Sequence, residues 1–205
     1  MSFLWTRLQG TPIWESAISF YEDGWRDYHG VSHLETLYAH AQNTFQFPYD
    51  RSLDLAILAH DVRILNDGWD ERMSAHWLFE LMDTPDLKAQ KLILTTIGHR
   101  PGAGDTRLAL LGLANFMDED ASRADTRKLW NEARNRGVGF ETWKKGNAQY
   151  LRGLFARIEN GRPRVKDPKE QVYWEKISAG ISAALADVAN FSPEVARAPE
   201  LEIQL

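Results

Sequence analysis

Ser52-Leu53-Asp54-Leu55-Ala56-Ile57-Leu58-Ala59-His60-Asp61 is the stretch on which the reading of this chain turns. Apart from Asp54, every residue from Leu53 to Ala59 is apolar, and the run lacks the strict alternation of a half-buried strand. It predicts a helix from about Ser52 to Val62, with Leu53, Ala56, Ile57 and the His60 position on related faces. Its end is chemically abrupt. A carboxylate placed directly after an apolar turn is costly unless a cation or hydrogen-bond donors receive it. An adjacent His and Asp cannot share one helical face, but both can reach a common point where a helix ends. Taken alone, the dipeptide is a common chance pairing, and an aspartate that merely terminates a helix reads the same way.

Helical signals continue on both sides of this segment. Thr11-Pro12 pairs a capping residue with a proline at the first helical position and opens a helix to about Tyr21. Ser32 and Glu35 have capping-box spacing, so a helix is expected from about His33, with Leu34, Leu37, Tyr38, Ala41 and Phe45 inward. A further helix is expected over about 71–82, with Ala75, Leu78, Phe79 and Met82 inward. Thr84-Pro85 opens another, to about Gly98. Asp105 caps a long helix through Met117, and helical patterns follow over about 124–136, 142–159 and 168–189. The segment 160–165 reads as a loop. No stretch alternates well enough for a strand, and there is no internal repeat. The fold class expected is all-α, a bundle of about 8–9 helices, with a single domain over 1–190 and an irregular tail over 191–205.

Composition narrows the chemistry. The 205 residues contain no cysteine, which removes disulfides, zinc–thiolate sites and thiol nucleophiles and fits a reducing cytoplasm. Any metal must rest on His, Asp, Glu or water. The formal net charge of -5 argues against a protein that coats nucleic acid, which needs a basic footprint. No apolar run reaches the length of a membrane span, and Met1 to Arg7 lacks the order of a signal peptide. A cytoplasmic location is expected.

Further clusters carry reactive side chains. In Tyr28-His29-Gly30-Val31-Ser32-His33 two histidines four apart can face one cavity. Asp70-Glu71-Arg72-Met73-Ser74-Ala75 begins one helix, His99 follows another, and Asp118-Glu119-Asp120 places acids at the end of the apolar helix that closes at Met117. Any one of these alone reads as a solvated helix end or a packed histidine. His40 and His76, among apolar neighbours, read as packing or surface residues.

The order of the clusters resembles the HD superfamily, in which one His, a His-Asp pair and a late Asp appear in that sequence. The stretch from Arg26 to Asp120 is similar in particular to predicted metal-dependent HD phosphohydrolases of bacteria and phages. Those proteins show Arg-x-Tyr-His-x-x-x-His, an apolar helix ending in His-Asp, Asn-Glu-x-x-Ser-Ala, a later histidine and Asp-Ala-Asp-Leu. Here the same places read Arg26-Asp27-Tyr28-His29 with His33, Ala59-His60-Asp61, Asp70-Glu71 with Ser74-Ala75, His99, and Asp118-Glu119-Asp120-Ala121. The chain departs from the pattern at Asp70, Glu119 and Ala121.

The resemblance implies His33, His60 and Asp61 as metal ligands, with a fourth from Asp120 or Asp118, Asp120 preferred. It implies Glu71 as the residue that orients or deprotonates the attacking water and His29 as a proton donor to the leaving oxygen. Arg26 is implied as a phosphate contact, while Arg63 and Arg100 are suggested by proximity in sequence. Asp70 with His99 would be a second metal site, one ion being preferred over two. Nitrogen and carboxylate donors together suit a divalent transition metal such as Mn, Fe, Co, Ni or Zn. The activity implied is hydrolysis of a phosphoester or phosphoanhydride, with a nucleotide as the small anionic substrate. The alternatives are a two-metal (di-iron) oxygenase and a non-catalytic metal- or nucleotide-binding module. No stable nucleic-acid complex is expected. The apolar positions Val172, Ile177, Ile181 and Leu185 in the last helix would serve either the core or a homodimer.

Overall fold

The computed structural model describes residues 4–64, 69–96 and 99–192, and among them there are helices and no strand. Their order is α1 (Pro12–Tyr21), α2 (Val31–Ala39), α3 (Arg51–Ala59), α4 (Asp70–Leu81), α5 (Leu87–Thr96), α6 (Arg107–Leu113), α7 (Glu119–Asn135), α8 (Phe140–Gly161) and α9 (Pro168–Asn190). A π turn over His40–Thr44 prolongs α2, and 3-10 turns occupy Ala114–Met117 and Arg162–Arg164.

The strongest local signals set the boundaries as expected. Thr11 caps α1 by accepting from the Trp14 amide, with Pro12 behind it, and Asp167 caps α9 ahead of Pro168. Other boundaries shift where another residue takes over the cap. The Ser32–Glu35 pair does not open α2; Gly30 is the N-cap and Val31 the first helical residue. The helix expected from Pro85 begins at Leu87, because Asp86 accepts from the Ala89 amide, and its expected end at Gly98 lies outside the described residues. The long helix expected through Met117 stops at Leu113 and tightens into the 3-10 turn. Asp118 then caps α7 instead of ending the preceding helix. α8 runs through the expected loop as far as Gly161. The expected tail falls outside the described residues beyond Ser192.

α3 is the spindle of the bundle. Asp50 caps it by accepting from Ser52 N and Leu53 N, and every residue from Leu53 to Ala59 is buried. Asp54 is buried too, and its carboxylate is consumed by Thr6 Oγ1 at 2.6 Å, the Arg7 amide at 2.9 Å and Tyr38 Oη at 2.9 Å. This lone acid thus ties the N-terminal segment and α2 onto α3, with its lone pairs satisfied. Phe79, expected inward, is 46 % exposed; Ser74, Ala75 and Leu78 supply the buried side of α4. In α9, Ile177 and Ile181 lie in the core while Val172 is exposed, so the two isoleucines are spent within the fold. No helix of the described residues is long and apolar enough to cross a membrane.

α9 packs against the 3-10 turn closely enough to require a bare backbone. A Cβ on Gly180 would lie 1.6 Å from the Phe116 carbonyl oxygen. Glycine inside a helix ordinarily costs about 1 kcal/mol relative to alanine, so Gly180→Ala would stabilise an unhindered helix. Here the sign inverts, because α9 must move off the turn. Denaturant unfolding of Gly180→Ala is expected to show a loss of about 1–3 kcal/mol, the range for overpacking; a gain would mean that α9 does not pack as described.

Candidate metal centre

The turn that ends α3 brings the three central donors together. His60 is the C-cap residue, and its Nδ1 lies 2.8 Å from the Ile57 carbonyl oxygen. That contact satisfies a carbonyl of the last helical turn and leaves Nε2 facing outward, the arrangement that fixes a ligating imidazole. His60 Nε2 lies 3.0 Å from Asp61 Oδ2 and 3.3 Å from His33 Nε2, and His33 Nε2 lies 3.5 Å from the same Asp61 oxygen. His33 arrives from the first turn of α2 and is buried. The adjacent His and Asp reach one point because the α-helix stops at Ala59.

His33, His60 and Asp61 form a group that could hold a metal ion, with ligand atoms all within 4.8 Å of one another. The donor chemistry fits. With Nδ1 of His60 committed as a donor to a carbonyl, the neutral ring directs a lone pair at a carboxylate oxygen and at a second imidazole nitrogen. Such a convergence of lone pairs calls for a proton or a cation between them. Burial holds the His33 imidazole down to about 4, that is, neutral. Burial also works against charge on His60, but the Asp61 carboxylate overcomes it and raises its pKa. Burial would raise Asp61, yet the His60 and His33 rings hold it well below the usual carboxylate range. The group therefore presents one anion and nitrogen donors that could receive a cation.

The surroundings separate the expected residues into those gathered here and those not. His29 is gathered: its Nε2 lies 4.0 Å from Asp61 Oδ2, and the Tyr28 ring packs on both histidines, 4.6 Å from His29 and 4.9 Å from His33 between centroids. Glu71, in the first turn of α4, is half-buried; burial raises its pKa, and the carboxylates of Asp61 and Asp70 push the same way. Asp70 starts α4 and is not in the metal-capable group, nor is His99. His99 has a left-handed backbone, with φ of 42°. Burial foremost, then the Arg157 guanidinium, lowers its imidazole to about 4.

Asp118 and Asp120 lie outside the metal-capable group of the described residues: Asp118 caps α7 by accepting from Ala121 N at 2.9 Å, and Asp120 is exposed in the first turn. Their carboxylates serve the helix N-terminus, where the dipole favours an anion. Arg26, expected at a phosphate, bonds backbone carbonyls. Its Nη1 donates to the carbonyls of Asp61 at 2.7 Å and His29 at 3.3 Å, its Nη2 to the carbonyl of Val62 at 3.1 Å, and the guanidinium lies against the Tyr21 and Trp25 rings. Arg63 is laid over the Phe20 ring, 4.7 Å from its centroid, and Arg100 is exposed. His40, read as packing, bonds through Nε2 to Asn115 Oδ1 at 2.8 Å, and Asn115 passes a bond to Asp125 at 2.7 Å.

The sequence reading misses Glu132. This carboxylate, 5 % exposed on α7, takes His29 Nδ1 at 2.7 Å on one oxygen and the amides of His29 at 2.9 Å and Tyr28 at 3.2 Å on the other. Burial would raise its pKa, but the His29 ring and these amides bring it below the usual value. It stands seven residues after Asp125, on the same face of α7, which is the single periodic hint in a segment full of solvated acids.

Comparison of the chain with protein-family models, with curated proteins and with solved structures finds no match.

These placements are checked by metal retention. Asp61→Ala is expected to lose a bound divalent transition ion on dialysis, since a ligand carboxylate is removed. Asp118→Ala and Asp120→Ala should retain it, with Asp118→Ala costing about 1 kcal/mol of stability as a lost cap. Ion loss in Asp118→Ala or Asp120→Ala equal to that in Asp61→Ala would restore a fourth acid ligand.

Proposed function

We propose that this chain is a metal-dependent phosphohydrolase that uses water to cleave a nucleotide or a related phosphoester. The observation that carries the reading is that the triad is flanked by a proton acceptor and a proton donor that metal holding alone does not need: Glu71, and His29 clamped by Glu132. The order of residues from Arg26 to Asp61, similar to HD phosphohydrolases, points the same way. A divalent transition ion such as Mn, Fe, Co, Ni or Zn on His33, His60 and Asp61 would supply Lewis acidity that polarises a phosphoryl oxygen and acidifies water. One ion is proposed, because Asp70 and His99 fall outside the metal-capable group of the described residues.

The side chains then have separate tasks. Glu71, its pKa raised above the usual carboxylate value by burial and by neighbouring carboxylates, takes the proton of water as the water oxygen bonds to phosphorus. The bond from phosphorus to the leaving oxygen breaks, and that oxygen takes a proton from His29 Nε2. Glu132 holds Nδ1 and so aims Nε2 at the site. The charge balance is closed by return of the proton from Glu71 to solvent and re-protonation of His29.

The test is turnover by purified protein of a panel of nucleotides and phosphoesters with Mn, Co, Ni or Mg, with Asp61→Ala as control. Metal-dependent release of phosphate that is absent in the control is expected. His29→Ala should lower kcat by about 10²–10⁴-fold on alkyl phosphoesters, the range for general acid catalysis, and far less on p-nitrophenyl phosphate, whose leaving oxygen needs no proton. Glu132→Gln should follow the same leaving-group pattern, with a fall of about 10–100-fold. Failure of the metal-loaded protein to hydrolyse any phosphoester would sink the proposal in favour of a binding module, or of an oxygenase if bound iron shows a charge-transfer band.

A further inference from the structure

Tyr28 joins the metal centre to a second place. Its ring packs on the His29 and His33 rings, at 4.6 and 4.9 Å between centroids. The same residue lines a recess of about 30 Å³ together with Asn115, Ser122, Asp125, Leu129 and Asn147. Helix α7 explains why the two places adjoin. Ser122, Asp125, Leu129 and Glu132 follow one another at spacings of three and four, and so share one face. One end of that face holds His29 through Glu132, and the other walls the recess. The recess thus lies beyond Tyr28 on the side of His29, where a leaving group protonated by that histidine would extend.

The recess is polar and has bonding capacity to spare. Asp125 Oδ2 accepts from Asn115 Nδ2 at 2.7 Å, and Asn115 Oδ1 meets His40 Nε2 at 2.8 Å, a chain that fixes the carboxylate in place. Among the described residues, Asp125 Oδ1, the hydroxyls of Tyr28 and Ser122 and the side-chain amide of Asn147 make no hydrogen bond. Burial raises the pKa of Asp125 while the Asn115 amide pulls it down, so this carboxylate gains from any further donor. Size and charge then narrow the occupant. The volume suits about two waters, which is too little for a nucleobase. A phosphoryl group would meet the Asp125 carboxylate and be repelled. Hydroxyl groups donate and accept at once, and so match an acceptor-only carboxylate set among groups that can do both.

We propose that the recess between Tyr28 and α7 is the specificity pocket for the leaving group, and that it takes a vicinal diol, one hydroxyl donating to Asp125 Oδ1 and the pair accepting from Ser122, Tyr28 or Asn147. Two hydroxyls replace two waters and keep their hydrogen bonds. The ligand class is a phosphoester whose alcohol carries adjacent hydroxyls, as a ribose does. The inference rests on the phosphohydrolase reading, and it can fail separately from it.

The probes are ribose 5-phosphate and 2-deoxyribose 5-phosphate, which differ by one hydroxyl of the diol and carry no base. Each is added to the full-length protein loaded with Mn, with metal content measured on every variant. Affinity is read as KM where phosphate is released and as a calorimetric Kd where it is not. Wild type is expected to favour ribose 5-phosphate by about ten- to a hundredfold, the worth of a hydrogen bond to a charged group. Asp125→Asn keeps the side chain's shape and can still accept from Asn115, so the fold is retained; it should bring the ratio close to one at unchanged metal content. Ser122→Ala should lower the ratio several-fold. Glu119→Gln, at an exposed acid of the same helix, should leave it as in wild type. Equal affinity for the two sugars in the wild type, or a ratio that survives in Asp125→Asn, would overturn the inference. Phosphate release with a ratio of one keeps the hydrolase and removes the diol pocket. Discrimination that depends on Asp125 without release of phosphate from any phosphoester keeps the pocket and removes the hydrolase.

Discussion

The centre depends on the way the chain leaves α3. A helix end releases carbonyls that need partners, and this one also has to hold His60 and Asp61 in a fixed turn beside His33. Tyr21 and Arg26 do that work. The Tyr21 hydroxyl donates to the Leu58 carbonyl at 3.0 Å and accepts from the Asp61 amide at 3.3 Å. Arg26 spans the carbonyls of Asp61 and Val62 and reaches back to that of His29. One guanidinium thereby joins the two loops that carry the reactive histidines and the carboxylate. Its charge also lies next to Asp61, which helps keep that acid ionised in a buried place. The cost is visible: Arg26 Nε is buried without a hydrogen-bond partner among the described residues. Substitution at Arg26 would thus disturb geometry rather than subtract a ligand contact.

A second support comes from far along the chain. Glu132 engages both the ring and the backbone of the segment that holds His29, and its neighbours repeat the attachment, Asn131 donating to Asp27 at 2.9 Å and Asn135 to the Trp25 carbonyl at 3.4 Å. α7 is therefore a brace for the 25–29 loop. Its first turn, where the acids of the Asp118–Asp120 run stand, is occupied with its own capping.

Much of this is legible in the amino-acid sequence, for reasons that are local. The burial of α3 follows from a run of apolar side chains, and the convergence of His60 and Asp61 follows from a helix that must stop where its apolar face stops. Thr11-Pro12 and Asp167-Pro168 mark helix starts because cap chemistry involves neighbours in sequence. What stayed illegible is long-range. Beyond its seven-residue spacing from Asp125, nothing near Glu132 distinguishes it from other acids on α7, since its meaning lies in a partner more than a hundred residues away. Arg26 carries a charge that suits phosphate equally well, and the three carbonyls it bonds cannot be read from its neighbours in sequence. Asp118 is ambiguous in the same way, because an acid after an apolar helix and an acid before the next one are the same residue, and here it caps α7. Phe79 keeps helical spacing but falls on the solvent side of α4, a distinction that periodicity cannot draw at the edge of an apolar stripe.

The His29–Glu132 contact also has a kinetic side. The triad closes a loop of 27 residues between His33 and His60, whereas His29 and Glu132 are 103 residues apart. Loop-closure entropy alone makes the second closure dearer by about 1.2 kcal/mol, before the ordering of α4 to α6 between them is counted. A nascent or partly unfolded chain can thus bring His33, His60 and Asp61 together before Glu132 holds His29. Under the proposed function, capture of an ion and readiness for chemistry would then be separate events, the first early and local, the second late and dependent on the docking of α7. Release of α7 in the mature protein would undo them in reverse order, freeing His29 while an ion stayed in place.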